Sequence, residues 1–142
     1  MAEGILRDKF RQLGYPGIVD SAGFESFHIG DSPDARAVMT MGNKGIDITG
    51  HAARLFTVDD FDRFDRIYVM DSYHYANVGQ LSRNDQDMEK VDFIMNVVHP
   101  GRNEHVKDPW YDGINAFEKV YRQLNEICTI LAEKIASGAP LK

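Results

Sequence analysis

Residues 66–71, Arg66-Ile67-Tyr68-Val69-Met70-Asp71, decide how this chain is read. A short apolar run rich in β-branched and aromatic residues, closed by a carboxylate, predicts a buried strand. Ser72 follows as a helix cap, and the helix runs to about Leu81. Val91 to Val98 repeats the apolar character and is expected to be a second strand. Two strands joined through a helix make a parallel crossover. Upstream, Thr57-x-x-Asp60 resembles a capping box that opens a short helix to Phe64. Further upstream, Ile18–Ala22 reads as a strand. Ser32 and Pro33 mark the N-cap and first turn of a helix to about Asn43, and Gly45 stops it. Ala2 to Leu13 reads as an amphipathic helix with Ile5, Leu6, Phe10 and Leu13 on one face, ended by Gly14, Pro16 and Gly17. That helix starts without a cap, and the Met1 α-amino group meets the positive end of its dipole. The last helix is expected from about Gly113 to Ala136, with Phe117, Val120, Leu124, Cys128 and Leu131 facing inward. The order of elements predicts an α/β fold: a three-layer, doubly wound parallel sheet. Ligands in such folds sit beyond the carboxyl ends of the strands, here the loops after Ala22, Asp71 and Val98.

Composition narrows the function. The 142 residues fit a single domain spanning 1–142, and 43% hydrophobic with 27% charged residues is ordinary globular usage. The net charge of −6 argues against a nucleic-acid backbone binder, which needs clustered Lys and Arg. Cys128 is the one cysteine, so neither a disulfide framework nor a cysteine zinc site forms within the chain, and a reducing compartment is expected. No apolar run approaches the roughly 18–20 residues of a membrane span. Charges interrupt Met1–Phe10 where a signal peptide needs its apolar stretch, so the expected location is cytoplasmic, with no membrane partner.

Few residues carry a chemical signal. Asp108-Pro109-Trp110-Tyr111 places an acid in a long polar loop beside two aromatics. That suits a general acid over a flat ring, and equally a surface turn with a packed tryptophan. Cys128 falls on the apolar face of the last helix, where a cysteine packs rather than reacts. The five histidines make no i, i+4 pair and no HExxH, so a metal site has little support. His51 reads as a buried hydrogen-bonding residue or a ligand contact. The acidic run Asp59-Asp60-Phe61-Asp62 with Asp65 reads as a solvated helix face. Neither GxGxxG nor a Walker loop is present.

Six motifs nevertheless stand in a familiar order. Met1-Ala2-Glu3, Val19-Asp20-Ser21-Ala22-Gly23, Ile29-Gly30 with Pro33-Asp34, His51-Ala52-Ala53-Arg54, Met70-Asp71 and Asp108-Pro109-Trp110 together resemble the low-molecular-weight protein tyrosine phosphatases over nearly the whole chain. In that family a central strand leads into a loop of the form Cys-(five residues)-Arg-Ser-Pro. The loop's amides and Arg cradle phosphate, and its Cys is the nucleophile. The resemblance implies hydrolysis of phosphotyrosine proteins or aryl phosphates through a cysteinyl-phosphate, with no metal or organic cofactor. It makes Asp108 the general acid and base. It puts Trp110 and Tyr111 on one wall of the ring slot and Phe27 on the other. It makes Ser21 and His51 the residues that hydrogen-bond the phosphate loop and hold its shape.

The chain contains no Cys-(five residues)-Arg: six residues after Cys128 stands Lys134. The expectation is a phosphatase fold whose central first strand and phosphate loop lie outside this sequence. A late gene start, a trimmed chain or a natural short form would each produce it. As supplied, such a chain is expected to be inactive, since nucleophile, cradle and acid act as a unit. Losing a central strand of about five residues exposes two facing edges. Self-association into a homo-oligomer is therefore expected, and a non-catalytic interaction module is the alternative function.

Overall fold

The computed structural model describes residues 1–141. Its helices and strands in chain order are α1 (Ala2–Leu13), α2 (Ala35–Gly42), α3 (Asp60–Arg63), β1 (Ile67–Val69), α4 (Ser72–Leu81), α5 (Asp85–Glu89), β2 (Val91–Phe93) and α6 (Ile114–Ser137). Two 3₁₀ turns lie at Ser26–His28 and Ile94–Val97. β1 and β2 pair in parallel, with Ile67 opposite Val91 and Val69 opposite Phe93, so the expected crossover is present. Among the described residues the sheet has these two strands, and a parallel bridge joins Gly23 to Leu55.

The strand expected at Ile18–Ala22 does not form. Its alternation is real: Val19 and Ser21 are half-buried, while Ile18, Asp20 and Ala22 are exposed. Alternation without strand pairing is extended chain, and among the described residues the ladder begins with the following Gly23, bridged to Leu55. The strand expected over Val91–Val98 is cut to Val91–Phe93. There the Asp92 carboxylate accepts the Phe93 N–H at 2.9 Å and the Asn96 amide at 2.7 Å, and these local bonds turn the chain into the 3₁₀ segment. Two caps also shift. Asp34, not Ser32, caps α2 by accepting the Arg36 N–H at 2.8 Å, and Asp71, not Ser72, caps α4 by accepting the His74 N–H at 2.9 Å. A carboxylate is a strong acceptor for the open amides of a helix start. The periodicity did not reveal α5, a single turn capped by Asn84.

The chain divides into two compact units that interleave in sequence. The first holds Met1–Ser21, Gly30–Ala53 and Asp108–Lys142. In it α6 packs on α1 and α2. Phe117, Val120, Leu124, Ile127, Cys128, Leu131 and Ala132 form the buried stripe of α6, and Ile5, Phe10 and Met41 are buried with them. Each large aliphatic buried there contributes roughly 1.5–3 kcal/mol. α1 and α6 end as expected, on Gly14 at φ 66° and Gly138 at φ 74°, a left-handed conformation that suits glycine. The α-amino group of Met1 is buried, and loss of water, opposed by the nearby Glu3, lowers its pKa.

The second unit holds Ala22–Ile29 and Arg54–Lys107. Phe61, Val69, Val78, Val91 and Phe93 are its core, with Phe24 and Phe56 against them. Here the acidic run departs from the expected solvated face. Asp60 is 1% exposed and accepts two hydrogen bonds from Arg54, at 3.0 Å and 3.0 Å, and the Thr57 N–H at 2.8 Å. That last bond is the reciprocal half of the capping box. Asp62 instead pairs with Arg83, which also holds Asp87.

Candidate active site

The loop before α6 carries Asp108. Asp108 is exposed, and its Oδ1 accepts the Trp110 N–H at 3.0 Å. Pro109 fixes one backbone angle, and its carbonyl accepts the Asp112 N–H at 2.9 Å. A side chain folded onto the amide two residues ahead is a turn that aspartate favours. The result is a carboxylate at the loop surface beside Trp110, 50% exposed, and Tyr111, 95% exposed. Trp110 is thus half-exposed, with the Arg36 guanidinium carbon 5.9 Å from the centre of its ring.

Ser21 and His51 meet at Glu3. Glu3, in the first turn of α1, is nearly enclosed. Its Oε1 accepts the Ser21 hydroxyl at 3.0 Å. Its Oε2 lies 3.4 Å from His51 Nδ1 and 3.3 Å from Arg7 Nη2. Arg7 also donates to the Val19 carbonyl at 2.8 Å, which ties the extended segment to α1. A carboxylate at a helix N-terminus, surrounded by a cation, a hydroxyl and an imidazole, sets the rotamers of all three. Glu3 was visible in the Met1-Ala2-Glu3 motif, but nothing local says what it binds.

Phe27 belongs to the second unit. It stands on the 3₁₀ turn Ser26–His28, is 73% exposed, and touches only the ring of its neighbour His28 among the aromatics, at 4.2 Å. The turn is anchored within its unit: Tyr73 on α4 donates its hydroxyl proton to Glu25 at 3.0 Å, and this bond raises the tyrosine pKa.

Cys128 is where the apolar face of α6 predicts it. It is 1% exposed, and its sulfur lies 4.0 Å from the Ala2 carbonyl. Burial pushes the thiol up to about 12, with Lys9 and the Met1 amine acting weakly the other way. A thiol held protonated in an apolar site is neither nucleophile nor metal ligand. Among the described residues, no group of three or more His, Cys, Asp and Glu is placed to hold a metal ion.

These features can be compared with known proteins. The sequence pattern of the family described as low molecular weight phosphotyrosine protein phosphatase matches residues 1–140. The chain belongs to this family. It is 31% identical to the low molecular weight phosphotyrosine protein phosphatase of Schizosaccharomyces pombe, over 96% of this chain and 88% of that one. It is 32% identical to low molecular weight phosphotyrosine protein phosphatase 2 of Drosophila melanogaster, over 100% and 85%. Among solved structures it is similar to the protein tyrosine phosphatase of Entamoeba histolytica, with a TM-score of 0.87, 25% identity, and 96% and 88% coverage. The low molecular weight phosphatase fold thus accounts for the parallel β1–β2 pair and for the long α6. The exposed Asp108 turn and the Glu3 cluster both hold ionisable side chains in a defined geometry. One further residue has partners that its position in the sequence does not announce. Arg36, on α2, donates to the carbonyls of Trp110 and Asp112.

Proposed function

We propose that this chain carries the general-acid loop and the ring contacts of a phosphotyrosine or aryl-phosphate hydrolase. The observation behind the reading is the Asp108 turn: an exposed carboxylate held through the Trp110 N–H, next to two exposed aromatic side chains. Asp108 gives its proton to the leaving tyrosyl oxygen as the phosphorus–oxygen bond breaks and the phosphoryl group passes to a thiolate sulfur. The carboxylate then takes a proton from the water that attacks phosphorus and frees the sulfur. A tyrosyl oxygen needs that proton because its own pKa is near about 10. Trp110 and Tyr111 are the ring contacts of this unit in this reading. Ser21 and His51, gathered on Glu3, hold the phosphate loop in shape. The substrate class is phosphotyrosine in a protein, and the scheme needs no metal or organic cofactor.

The thiolate is not among the 142 residues, because Cys128 is buried and Lys134 stands where the loop arginine belongs. The chain by itself is therefore expected to leave p-nitrophenyl phosphate intact. Extended at its N-terminus by a strand and the family's Cys-(five residues)-Arg-Ser-Pro loop, it is expected to turn over. In that extended protein Asp108→Asn should lower kcat by about 10²–10⁴-fold, and more for phenyl phosphate than for the better-leaving nitrophenyl ester. Turnover insensitive to Asp108→Asn overturns the acid assignment. Turnover by the unextended chain overturns the account of the nucleophile. The DNA preceding the Met1 codon separates the native possibilities: an in-frame loop supports the enzyme, and a stop codon supports an interaction module.

The second reading, a self-associating module, has one observation in its favour. Ile18 is 84% exposed on an extended segment that lacks a ladder partner. Sedimentation equilibrium should then give a mass that rises with concentration. A constant monomer mass of 16.1 kDa across the range removes this reading.

A further inference from the structure

We infer that Arg36 is the positioning residue of the Asp108 loop. The loop's own turn includes an exposed bond from Trp110 N–H to Asp108 and a bond from Asp112 N–H to Pro109 between half-buried residues. Such bonds alone open readily. Arg36 adds a clamp from α2 within the same unit. Its Nη1 donates to the Asp112 carbonyl at 2.6 Å and its Nη2 to the Trp110 carbonyl at 2.8 Å. The other edge of the guanidinium is fixed on Asp34, with Nε at 3.1 Å from Oδ1 and Nη2 at 2.9 Å from Oδ2. Asp34 is itself fixed as the cap of α2 through the Arg36 N–H. The guanidinium carbon lies 5.9 Å from the centre of the Trp110 ring and 4.6 Å from that of Phe117.

Every feature of an arginine is used: one edge on a carboxylate, the other on two carbonyls, and the flat faces on rings. A lysine offers a point charge in place of that fork. The restraints form one series: the cap of α2 fixes Asp34, Asp34 fixes the guanidinium, the guanidinium fixes Trp110 and Asp112, and the Trp110 N–H holds Asp108 Oδ1. Arg36 therefore sets where the acid stands without touching substrate. The functional weight of this rests on Asp108 being the acid. The clamp itself does not, and it is measured without turnover.

Trp110 is the only tryptophan, so its fluorescence reports this loop alone. In the full 142-residue chain, Arg36→Lys should raise amide exchange at Trp110 and Asp112 by at least about tenfold and make Trp110 more accessible to acrylamide. Exchange at Leu124 and Leu131 in α6 should stay unchanged. Asp34→Asn keeps the shape of the anchor, removes its charge and should give a smaller change of the same kind. Wild-type exchange and quenching in Arg36→Lys overturns the clamp, and so does faster exchange that spreads to Leu124 and Leu131. An unresponsive Asp108→Asn in the extended enzyme would remove the acid assignment and leave these loop measurements standing.

Discussion

At 1% exposure on α6, the thiol of Cys128 meets aliphatic neighbours and a helix-terminal carbonyl, and its pKa is pushed up to about 12. At pH 8 only roughly one part in ten thousand is then thiolate. Iodoacetamide should leave the folded chain unlabelled over hours and label it fully in denaturant. Rapid labelling of the folded chain would show that α6 opens locally or that the site is more polar than its packing indicates. The inert reading of Cys128 was available from its place on an apolar helical stripe. Asp60 was not legible in the same way. Its neighbours in sequence are acidic, which reads as a solvated face, yet Arg54, six residues back, draws it inside. An ion pair formed through a turn leaves no periodic trace. Glu3 and Arg36 escaped for the same reason: their partners Ser21, His51, Trp110 and Asp112 are distant in sequence.

Among the elements, α1 and α6 are the ones that the hydrophobic pattern located best. Ala2 to Leu13 was expected and found, and α6 differs from expectation by one residue at each end. Their long amphipathic faces override weak local preferences. Gly4 shows how tightly α1 is seated. A Cβ there would lie 2.7 Å from Ile48 Cγ2 and 3.2 Å from Met41 Cε. Gly4→Ala gains about 1 kcal/mol of helix propensity, but overpacking against a stiff β-branched side chain costs about 1–3 kcal/mol. The balance predicts a net loss of about 1 kcal/mol, read as a lower Tm by thermal unfolding. A raised Tm would mean that the Ile46–Ile48 segment yields freely. The short elements were harder to place. Asp34 and Asp71 took the capping roles expected of Ser32 and Ser72, because a carboxylate one or two residues away competes for the same amides. Val91–Phe93 stopped early because Asp92 bonds locally. A strand is a property of a pair, so the alternation at Ile18–Ala22 was insufficient evidence.

Over the whole molecule, the resolved carboxylate shifts share one sign. Asp34, Asp62, Asp87 and Glu118 are lowered, each chiefly by a hydrogen bond from a cationic side chain: Arg36, Arg83, Arg83 and Lys44. Asp47 is lowered by Thr49. A folded pKa below the unfolded one means that the unfolded chain takes up protons first as pH falls. The stability these groups supply is complete above the unfolded carboxylate range, about pH 4–4.5, and is lost below it as the folded values are passed. Urea midpoints should therefore fall between pH 4.5 and 3. A midpoint level down to pH 3 would mean that these pairs do not persist in solution. The family, the α/β class, the long helices and the burial of Cys128 were legible in the sequence, because motif order and hydrophobic period are local properties that survive without a fold. The tertiary structure decided the rest: that Glu3 collects Ser21 and His51, that Asp60 is buried, and that Arg36 bonds the Trp110 and Asp112 carbonyls. Those contacts join residues far apart in the chain, and a hydrogen bond between distant residues exists only once packing has brought its two ends together.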